Sequence, residues 1–205
     1  MSRAATSEDV DIVAACLASA FFDDPLWGHW TFPDERTRAR DLLAFMRFWA
    51  ATAIRDPWVR MTEGCESVAV WHPPGEPELT PEQEAALEPL LDEWFGARAG
   101  DLRALFAQFD ELHPRGEPHF YLSWWATHRD HAGHGFGASV MRESLAEIDA
   151  LGKPAFLEST NPVNLPRYEA LGFVPMARFG PSGGPVITTM WREARGPRSP
   201  KATKK

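Results

Sequence analysis

The feature that most constrains this chain is a glycine-rich turn between a clear strand pattern and a clear helix pattern. Residues 119–127 are rich in aromatic side chains, which favour a strand. An apolar stripe at helical spacing runs from Phe136 to Ile148 and ends before Gly152. Because glycines let phosphate oxygens approach the backbone N–H groups of a helix N-terminus, the segment predicts an anion site. The turn contains Ala132, Gly133, His134, Gly135, Phe136, Gly137 and Ala138.

Two familiar phosphate-binding motifs fit this turn poorly. A P-loop requires Lys followed by Ser or Thr after its last glycine, and Ala138 stands there instead. A dinucleotide-binding turn requires Gly-x-Gly-x-x-Gly before repeated strand and helix units, with an acid about 20 residues later. Glu158 provides such an acid, but the glycine spacing differs and too little chain follows for further parallel units. A nucleotide-linked oxidoreductase is therefore the weaker alternative.

The rest of the chain alternates between helical and strand patterns. Helices are predicted after Thr6, at residues 39–53, after Thr80, at residues 102–109 and at residues 165–171. Strands are predicted at residues 58–61, 67–71, 155–158, 173–179 and 186–191, and an aromatic loop at residues 26–32. This order favours a mixed α/β fold in which helices pack on a mixed sheet. We expect a single domain at residues 1–194 and a basic, disordered tail at residues 195–205.

Composition narrows the classes of function. The formal net charge is -8 at pH 7, which opposes nucleic-acid binding and favours a cationic partner. Only Cys16 and Cys65 are present, too few for a disulfide framework or a thiolate metal site. No segment approaches the roughly 20 apolar residues of a membrane span. We therefore expect a cytoplasmic protein with neither a nucleic-acid nor a membrane partner, and the sequence leaves its oligomeric state open.

The glycine turn and the segment downstream of it resemble the GCN5-related N-acetyltransferase superfamily. Gly135 and Gly137 match the family's cofactor loop, whereas Ala132 stands where the family usually has Gln or Arg. Asn164 and the run Tyr-Glu-Ala-Leu-Gly-Phe at residues 168–173 resemble its downstream elements. The resemblance implies a central mixed, mostly antiparallel sheet flanked by helices, with little chain before the first helix for the usual first strand. It also implies acetyl-CoA, and so coenzyme A, as the cofactor.

Within that superfamily, the chain is most similar to the puromycin N-acetyltransferase branch. Similar short sequence motifs occur at the cofactor loop, at residues 154–159, at residues 164–166 and between residues 184 and 191. The resemblance implies an N-acetyltransferase that moves an acetyl group to a primary amine of a small molecule, such as an antibiotic or another xenobiotic. The alternative is a non-catalytic acyl-CoA binding or sensing module, because Ala132 departs from the loop pattern and the base is uncertain.

The resemblance also implies a set of cofactor contacts. Backbone groups near Trp125 would face the pantetheine arm, where this strand is expected to separate from its neighbour. Asn164 would bond the same arm or the following helix, and the alternative for this residue is an N-cap. The predicted cofactor-binding residues are Trp125, Ala126, Thr127, Ala132, Gly133, His134, Gly135, Phe136, Gly137, Ala138, Asn164 and Tyr168.

Acyl transfer to an amine needs a neutral nucleophile and a proton for the departing thiolate. By resemblance, the hydroxyl of Tyr168 would donate that proton, and a phenol with a pKa near ~10 stays protonated at neutral pH. The alternative is a packed Tyr whose hydroxyl is bonded locally. Glu158 is the first choice for the general base. Relay through water, or a carboxylate bonded to backbone at the strand end, are the alternatives for Glu158.

His128, His131 and His134 recur every third residue, but no Cys or acid cluster completes a coordination shell, so we expect loop imidazoles and no metal.

The acceptor pocket is predicted in the connection between the first two helices, where apolar walls and acids suit a hydrophobic cation. The alternative is that these aromatics only close the core. The residues of the predicted pocket are Phe21, Phe22, Asp23, Asp24, Trp27 and Trp30.

Overall fold

The strands of the computed structural model, which describes residues 1–55 and 57–196, all belong to one sheet. They are β1 (Ser2–Ala4), β2 (Val59–Thr62), β3 (Ser67–His72), β4 (Phe120–Thr127), β5 (Ala155–Ser159), β6 (Val174–Phe179) and β7 (Ile187–Arg192). The sheet has seven strands in the order β1-β2-β3-β4-β5-β7-β6. Among these described strands, the β4–β5 pair is parallel and the other pairs are antiparallel. The predicted fold class, a mixed and mostly antiparallel sheet flanked by helices, is confirmed.

The helices cover both faces of this sheet. They are α1 (Val10–Phe21), α2 (Glu35–Ala53), α3 (Pro81–Phe95), α4 (Ala99–Leu112), α5 (Phe136–Ala150) and α6 (Leu165–Ala170). On one face, a hydrophobic cluster contains residues of the four helices α1, α2, α3 and α4 and of the strands β2, β3 and β4. A second cluster joins α5 and α6 to the opposite face. The site described below lies between these two layers, at the centre of the sheet.

The N-terminal strand is short but present. Ser2, Arg3 and Ala4 pair with β2, whereas the small amount of chain before the first helix predicts that this strand is almost missing. Thr6 then caps a 3-10 turn, with Asp9 bonding back to the Thr6 backbone N–H at 2.8 Å. The turn leads directly into α1. The predicted helix start at Thr6 is therefore confirmed, although its first turn is 3-10.

The aromatic segment after α1 differs from the prediction. The sequence predicts a loop at residues 26–32, whereas Pro25–Trp30 forms a π-helix. Asp24 caps it, because Asp24 Oδ1 accepts hydrogen bonds of 2.9 Å from the backbone N–H groups of both Leu26 and Trp27. A wide helical turn of this kind is rare and depends on such side-chain contacts, so spacing alone could not indicate it.

The C-terminal end of the chain is only partly described. Residues 197–205 of the predicted tail lie outside the described residues, and before them Arg195 packs against Gly172. The single domain at residues 1–194 stays a prediction. In the described part of the chain, the helices are too short or too polar to cross a lipid bilayer.

Candidate active site

A β-bulge in β4 fixes which side chains face each layer. Val70 pairs with Trp124 and Trp71 pairs with Leu122, so Ser123 is an extra residue that has no partner position on β3. The bulge shifts the alternation of side chains by one residue. Leu122 consequently lies in the cluster with α5, whereas Trp124 lies in the cluster with α1 and α2.

The parallel strands β4 and β5 separate immediately beyond this point. Their register includes Phe120, Tyr121 and Leu122 of β4 and ends at the pair Leu122–Leu157. The sequence predicted the separation near Trp125, and the pairing ends three residues earlier. Because β4 continues to Thr127 without pairing to β5, its backbone groups on that side are free to bind another polar chain.

The predicted cofactor turn lies at the N-terminus of α5. Gly133 and Gly135 have φ angles of 81° and 85°, a left-handed conformation that side chains with a Cβ rarely adopt. Gly135 is the N-cap, and it lacks a side chain that could occupy the first N–H groups of α5. Residues 129–135 are exposed. The turn therefore presents unfilled backbone donors and the positive end of the helix dipole to solvent.

The start of α5 packs closely against β4. A Cβ on Gly137 would lie 2.6 Å from Thr127 Oγ1 and 3.4 Å from Trp125 Nε1. Among the residues that the structure describes, Trp125 Nε1 is one of the buried side-chain donors that lack a hydrogen-bond partner. An unsatisfied buried donor beside free backbone groups fits a polar ligand chain at this place. The residues present therefore fit a pantetheine arm that leads to a diphosphate at the turn.

Tyr168 lies on the same face as Trp125. Its ring contacts Trp125 edge-on at 5.5 Å between centroids and Phe173 at 6.1 Å. The side chain is buried, and burial, with the nearby carboxylate of Asp24, raises the pKa of Tyr168 above its usual range. The phenol is therefore protonated at neutral pH, as a proton donor must be.

Asn164 stands at the position before α6. Its side chain makes no capping bond, and Asn164 Oδ1 instead accepts a hydrogen bond of 3.3 Å from Arg167. The side-chain cap in this segment belongs to Asn161, whose Oδ1 accepts from the Val163 N–H at 3.1 Å. Asn164 therefore occupies the N-cap position of α6, as the alternative predicts, but without a capping bond from its side chain.

The face of the sheet that carries α3 and α4 holds a large open cavity. Its volume is about 1150 Å³, and it is lined by the connection between β3 and α3, by α4 and by the connection between α4 and β4. A narrow inner cavity of about 40 Å³ lies behind it, at the point where β4 and β5 separate. Five residues line both cavities: Trp49, Glu78, Phe106, Phe109 and Tyr121.

Glu158 of β5 lines the inner cavity. Tyr121 lines the same cavity, and its hydroxyl interacts with the carboxylate of Glu158. Burial, together with the nearby carboxylate of Glu78, raises the pKa of Glu158 well above its usual range. The general-base role of Glu158 stays a prediction, as does the alternative of a carboxylate bonded to backbone.

Sequence reasoning missed Glu78, the second acid of the inner cavity. It belongs to a proline-rich connection that Arg55 holds in place by donating to the backbone carbonyls of Pro77 and Glu78 and to Gln83 Oε1. Burial raises the pKa of Glu78 from 4.5 to about 7. An acid in a segment without periodicity gives no signal of its own, and the proline-rich loop next to a buried strand was the one available indication.

Two histidines of the outer cavity were missed as well. His72 Nε2 lies 3.0 Å from Ser123 Oγ, and His113 Nε2 lies 3.1 Å from His119 Nε2. Burial lowers the pKa of His72 and of His113 from 6.5 to about 4. Both imidazoles are therefore neutral near pH 7 and leave the acidic character of the cavity intact.

The residues predicted as an acceptor pocket are placed differently from one another. Trp27 lines the inner cavity, and Asp24 reaches it through Thr160, whose hydroxyl donates a hydrogen bond of 3.0 Å to Asp24 Oδ2. Phe21 packs edge-on against Trp124 at 5.3 Å. The remaining three contact arginines: Arg129 lies over the ring of Phe22 and beside Asp23, and Arg98 lies over the ring of Trp30.

The three histidines of the cofactor turn remain on the surface. His128 and His131 have ring centroids 5.8 Å apart, and His134 Nδ1 lies 3.1 Å from the carbonyl oxygen of Ala132. Within residues 1–55 and 57–196, no group of three or more His, Cys, Asp or Glu side chains is arranged to hold a metal ion. Their place beside the turn makes them neighbours of any anion bound there.

Comparison with known proteins gave matches of structure. No family model matches the sequence. A solved structure described as histone acetyltransferase HPA2 and related acetyltransferase from Corynebacterium glutamicum is 24% identical, with a TM-score of 0.65 over 97% of this chain and 98% of that chain. Arylalkylamine N-acetyltransferase 2 from Aedes aegypti is 14% identical, with a TM-score of 0.63 over 95% and 99%. Drosophila melanogaster polyamine N-acetyltransferase is 13% identical, with a TM-score of 0.57 over 94% and 99%.

At these identities the matches show the fold and leave the activity of this chain open. They cover nearly the whole chain in each case. The parallel β4–β5 pair at the centre of an otherwise antiparallel sheet also excludes the parallel, doubly wound sheet that a dinucleotide-binding domain requires. The fold of this chain is that of the GCN5-related N-acetyltransferases.

Proposed function

We propose that this protein is an N-acetyltransferase that moves an acetyl group from acetyl-CoA to a primary amine of a small molecule. One observation carries the proposal: β4 and β5 separate between a donor-rich turn on one side and an acid-lined cavity on the other. A thioester held from the turn side would reach the gap between the strands. An amine in the cavity would reach the same gap from the opposite face.

The cofactor would be held mostly by backbone groups. Residues 132–138 would bind the diphosphate, and the unpaired side of β4 at Trp125, Ala126 and Thr127 would bind the pantetheine arm. The missing Gln or Arg at Ala132 removes one side-chain contact but leaves the backbone donors. When bound, acetyl-CoA supplies an acetyl group that is already activated as a thioester.

Two side chains of this protein would handle the protons. Glu158 lies at the inner end of the cavity, where its carboxylate would accept a proton from the entering amine. Tyr168, protonated because burial raises its pKa, would donate a proton toward the departing sulfur. Asn164 would assist by binding the pantetheine arm.

The acceptor is proposed to be a cationic small amine. Solved structures with this fold include enzymes named for polyamine, arylalkylamine and agmatine substrates, which supports an amine as the acceptor. Asp24 and Trp27 would contribute to the pocket from the α1 side, with Phe21, Phe22, Asp23 and Trp30 behind them. An antibiotic or another xenobiotic, as in the puromycin N-acetyltransferase branch, is the finer form of the same proposal.

The cellular setting is also a proposal. Cys16 and Cys65 are both free and buried, which fits a reducing compartment such as the cytoplasm. The net charge of -8 would repel nucleic acid. We therefore propose a cytoplasmic enzyme whose partner is the small amine.

Two measurements test the proposed function. Calorimetry with acetyl-CoA and with NADPH should give a dissociation constant in the micromolar range for acetyl-CoA and no measurable binding of NADPH. A screen for thiol release should then find acetyl transfer to at least one amine among arylalkylamines, polyamines and amino-antibiotics. Binding of acetyl-CoA without thiol release for any amine would identify an acyl-CoA binding module instead. Preference for NADPH would reject both.

A further inference from the structure

The inner cavity admits only the end of a substrate. Its volume of about 40 Å³ has room for only one or two water-sized groups, because a water molecule takes up roughly 30 Å³ in the liquid. A primary amino group and its attached methylene fill such a space, whereas a branched carbon or a substituted nitrogen does not. The rest of any amine that reaches Glu158 must therefore lie in the outer cavity of about 1150 Å³.

Two carboxylates from distant parts of the chain line this small space. Glu158 comes from β5, and Glu78 comes from the connection between β3 and α3. Both acids line the same small cavity, and the charge of Glu78 adds to burial in raising the pKa of Glu158. Burial, with the two carboxylates beside it, also raises the pKa of the Tyr121 hydroxyl. Two like charges in a half-buried site are unfavourable unless a cation lies between them.

The surrounding groups do not supply that cation. Arg55 is bound to backbone carbonyls and Gln83, and its charge lowers the pKa of Glu78 less than burial raises it. His72 and His113 line the adjoining cavity and are neutral near pH 7. The titratable groups nearest Glu78 include Arg55 after α2, His72 of β3, His113 after α4, Tyr121 of β4 and Glu158 of β5. The outer cavity is also lined by Arg103, which is paired with Glu88 and Asp92, by Arg115, which is paired with Asp110, and by Glu76, Glu84, Glu117 and His119.

The outer cavity adds an apolar wall to this acidic end. Its lining includes Trp49, Leu87, Leu91 and Phe106, all of them buried or half-buried, and Trp49 and Phe106 also line the inner cavity. Apolar side chains of this kind would stabilise the body of an amine by removing its apolar surface from water. The site thus combines an apolar body pocket with an anionic end that fits one methylene.

We propose that Glu78 and Glu158 form a two-carboxylate receptor that selects the terminal ammonium group of an unbranched primary amine with an apolar body, and that accepts its proton. This inference rests on the proposed function for its acetyl step, but the receptor itself is tested by binding alone. In the proton step, an N–H bond of the ammonium breaks, an O–H bond forms on the carboxylate, and the nitrogen keeps the electron pair. The products are a neutral amine and a carboxylic acid, so charge and atoms balance.

Glu78 is the member of the pair that sequence patterns did not find, so its substitution gives the sharpest test. The probes are 2-phenylethylamine, its neutral analogue 2-phenylethanol and its α-methyl derivative. Calorimetry on the full chain at pH 8 should show the amine binding at least about tenfold more tightly than either analogue. In Glu78→Gln the affinity for the amine should fall about tenfold or more, while the affinity for the alcohol stays within twofold.

The matched control is Glu93→Gln on α3, which removes the same charge from an exposed position outside both cavities. It should leave the preference for the amine unchanged, so a general effect of net charge is separated from a local one. If Glu78→Gln fails to fold, the wild-type chain still tests the proposal. Its preference for the amine over the alcohol should grow from pH 6 to pH 8, as the carboxylate of Glu78 ionises.

Several results would overturn the receptor. They are equal binding of amine and alcohol by the wild-type chain, tight binding of the α-methyl derivative, or a Glu78→Gln variant that keeps the preference. Failure of the proposed function looks different: wild-type chain would bind 2-phenylethylamine with the stated preference, yet release no thiol from acetyl-CoA. Acetyl transfer to amines that does not depend on Glu78 would support the proposed N-acetyltransferase activity but would reject the two-carboxylate receptor.

Discussion

Gly137 lies against Thr127 so closely that a methyl group on Gly137 would be 2.6 Å from Thr127 Oγ1. The hydroxyl cannot easily move away, because Thr127 Oγ1 lies 3.2 Å from Ser67 Oγ and donates to it. We expect Gly137→Ala to push the start of α5 away from β4. Overpacking of this kind costs about 1–3 kcal/mol. Urea unfolding measures that loss, and calorimetry should show acetyl-CoA binding weakened about tenfold because the turn moves with the helix.

Gly100 is the matched control for this substitution. It is the second residue of α4, as Gly137 is of α5, and no atom lies within 4 Å of a Cβ built on Gly100. Because Ala favours a helix by up to about 1 kcal/mol over Gly, Gly100→Ala should be neutral or stabilising. Equal effects of the two substitutions would show that the contact with Thr127 does not control the turn.

Trp125 offers a test of where the pantetheine arm lies. Its Nε1 is buried without a partner in the described part of the chain, so the free protein should lose little when that donor is removed. In Trp125→Phe we expect stability within about 1 kcal/mol of wild type and acetyl-CoA binding weakened about five- to tenfold. Thermal unfolding and calorimetry, run on the same samples, measure the two quantities.

Trp71 provides the comparison. Its Nε1 is also buried without a partner among the described residues, but its side chain is fully buried in the core. Trp71→Phe should therefore reduce stability by about 1–3 kcal/mol through a cavity and leave the affinity for acetyl-CoA unchanged. If both variants bind acetyl-CoA like the wild type, the Trp125 donor plays no part in cofactor binding.

Tyr168→Phe tests the proton donor. The ring contacts with Trp125 and Phe173 do not involve the hydroxyl, so the variant should fold and bind acetyl-CoA like the wild type. We expect the turnover number with any accepted amine to fall about 10²-fold or more, because general acid catalysis contributes on this scale. Turnover within twofold of wild type would assign the phenol a packing role only.

Asp24 should prove a structural residue of the π-helix. Its carboxylate accepts from two backbone N–H groups and from the hydroxyl of Thr160, and its side chain is only slightly exposed. Asp24→Ala leaves these donors unpaired and should cost about 2–4 kcal/mol, whereas Asp24→Asn keeps an acceptor for the backbone and should cost about 1 kcal/mol or less. Urea unfolding distinguishes them, and equal losses would contradict the capping role.

The sequence predicts the regular elements well because their signal is local. The strand at residues 119–127 and the helix after Gly135 are defined by side-chain type and spacing. Both are confirmed: the strand is Phe120–Thr127, and the helix begins at Phe136. The π-helix at Pro25–Trp30 is a different case, since it depends on the Asp24 side chain folding back onto the backbone. Contacts between one side chain and nearby N–H groups leave no periodic trace.

Some residues of the candidate site have a local sequence signal, and others depend on contacts between distant parts of the chain. The turn and Tyr168 carry family-like motifs, so the sequence predicts them as site candidates, and it predicts Glu158 from its place on a strand. It does not predict Glu78, because the position of Glu78 depends on Arg55, which holds the loop from the end of α2 more than 20 residues earlier in the chain. The bulge at Ser123 is likewise a property of the β3–β4 register, which only the paired strands define.

The burial of Glu78 makes a last prediction about stability and pH. Its pKa is raised from 4.5 to about 7 in the folded chain, so between these values the folded state holds a proton that the unfolded state has released. Stability from this group is therefore complete below about pH 4.5, is lost as the pH rises toward 7, and changes little above. The displacement corresponds to at most about 3 kcal/mol, and partial exposure of the side chain reduces that figure.

Glu78→Gln isolates this effect, because the amide stays neutral at every pH. The difference in unfolding free energy between variant and wild type should be near zero at pH 4 and should grow to about 1–3 kcal/mol in favour of the variant at pH 8. The lowered pKa values of His72 and His113 have the opposite effect, because their contribution to stability is lost as the pH falls from 6.5 to about 4. Both histidines are present in variant and wild type, so this contribution cancels in the difference. Urea unfolding at four pH values measures the difference, with Glu93→Gln as the control that should stay constant. A difference that is independent of pH would show that Glu78 is solvated in the folded chain, and the two-carboxylate receptor would lose its physical basis.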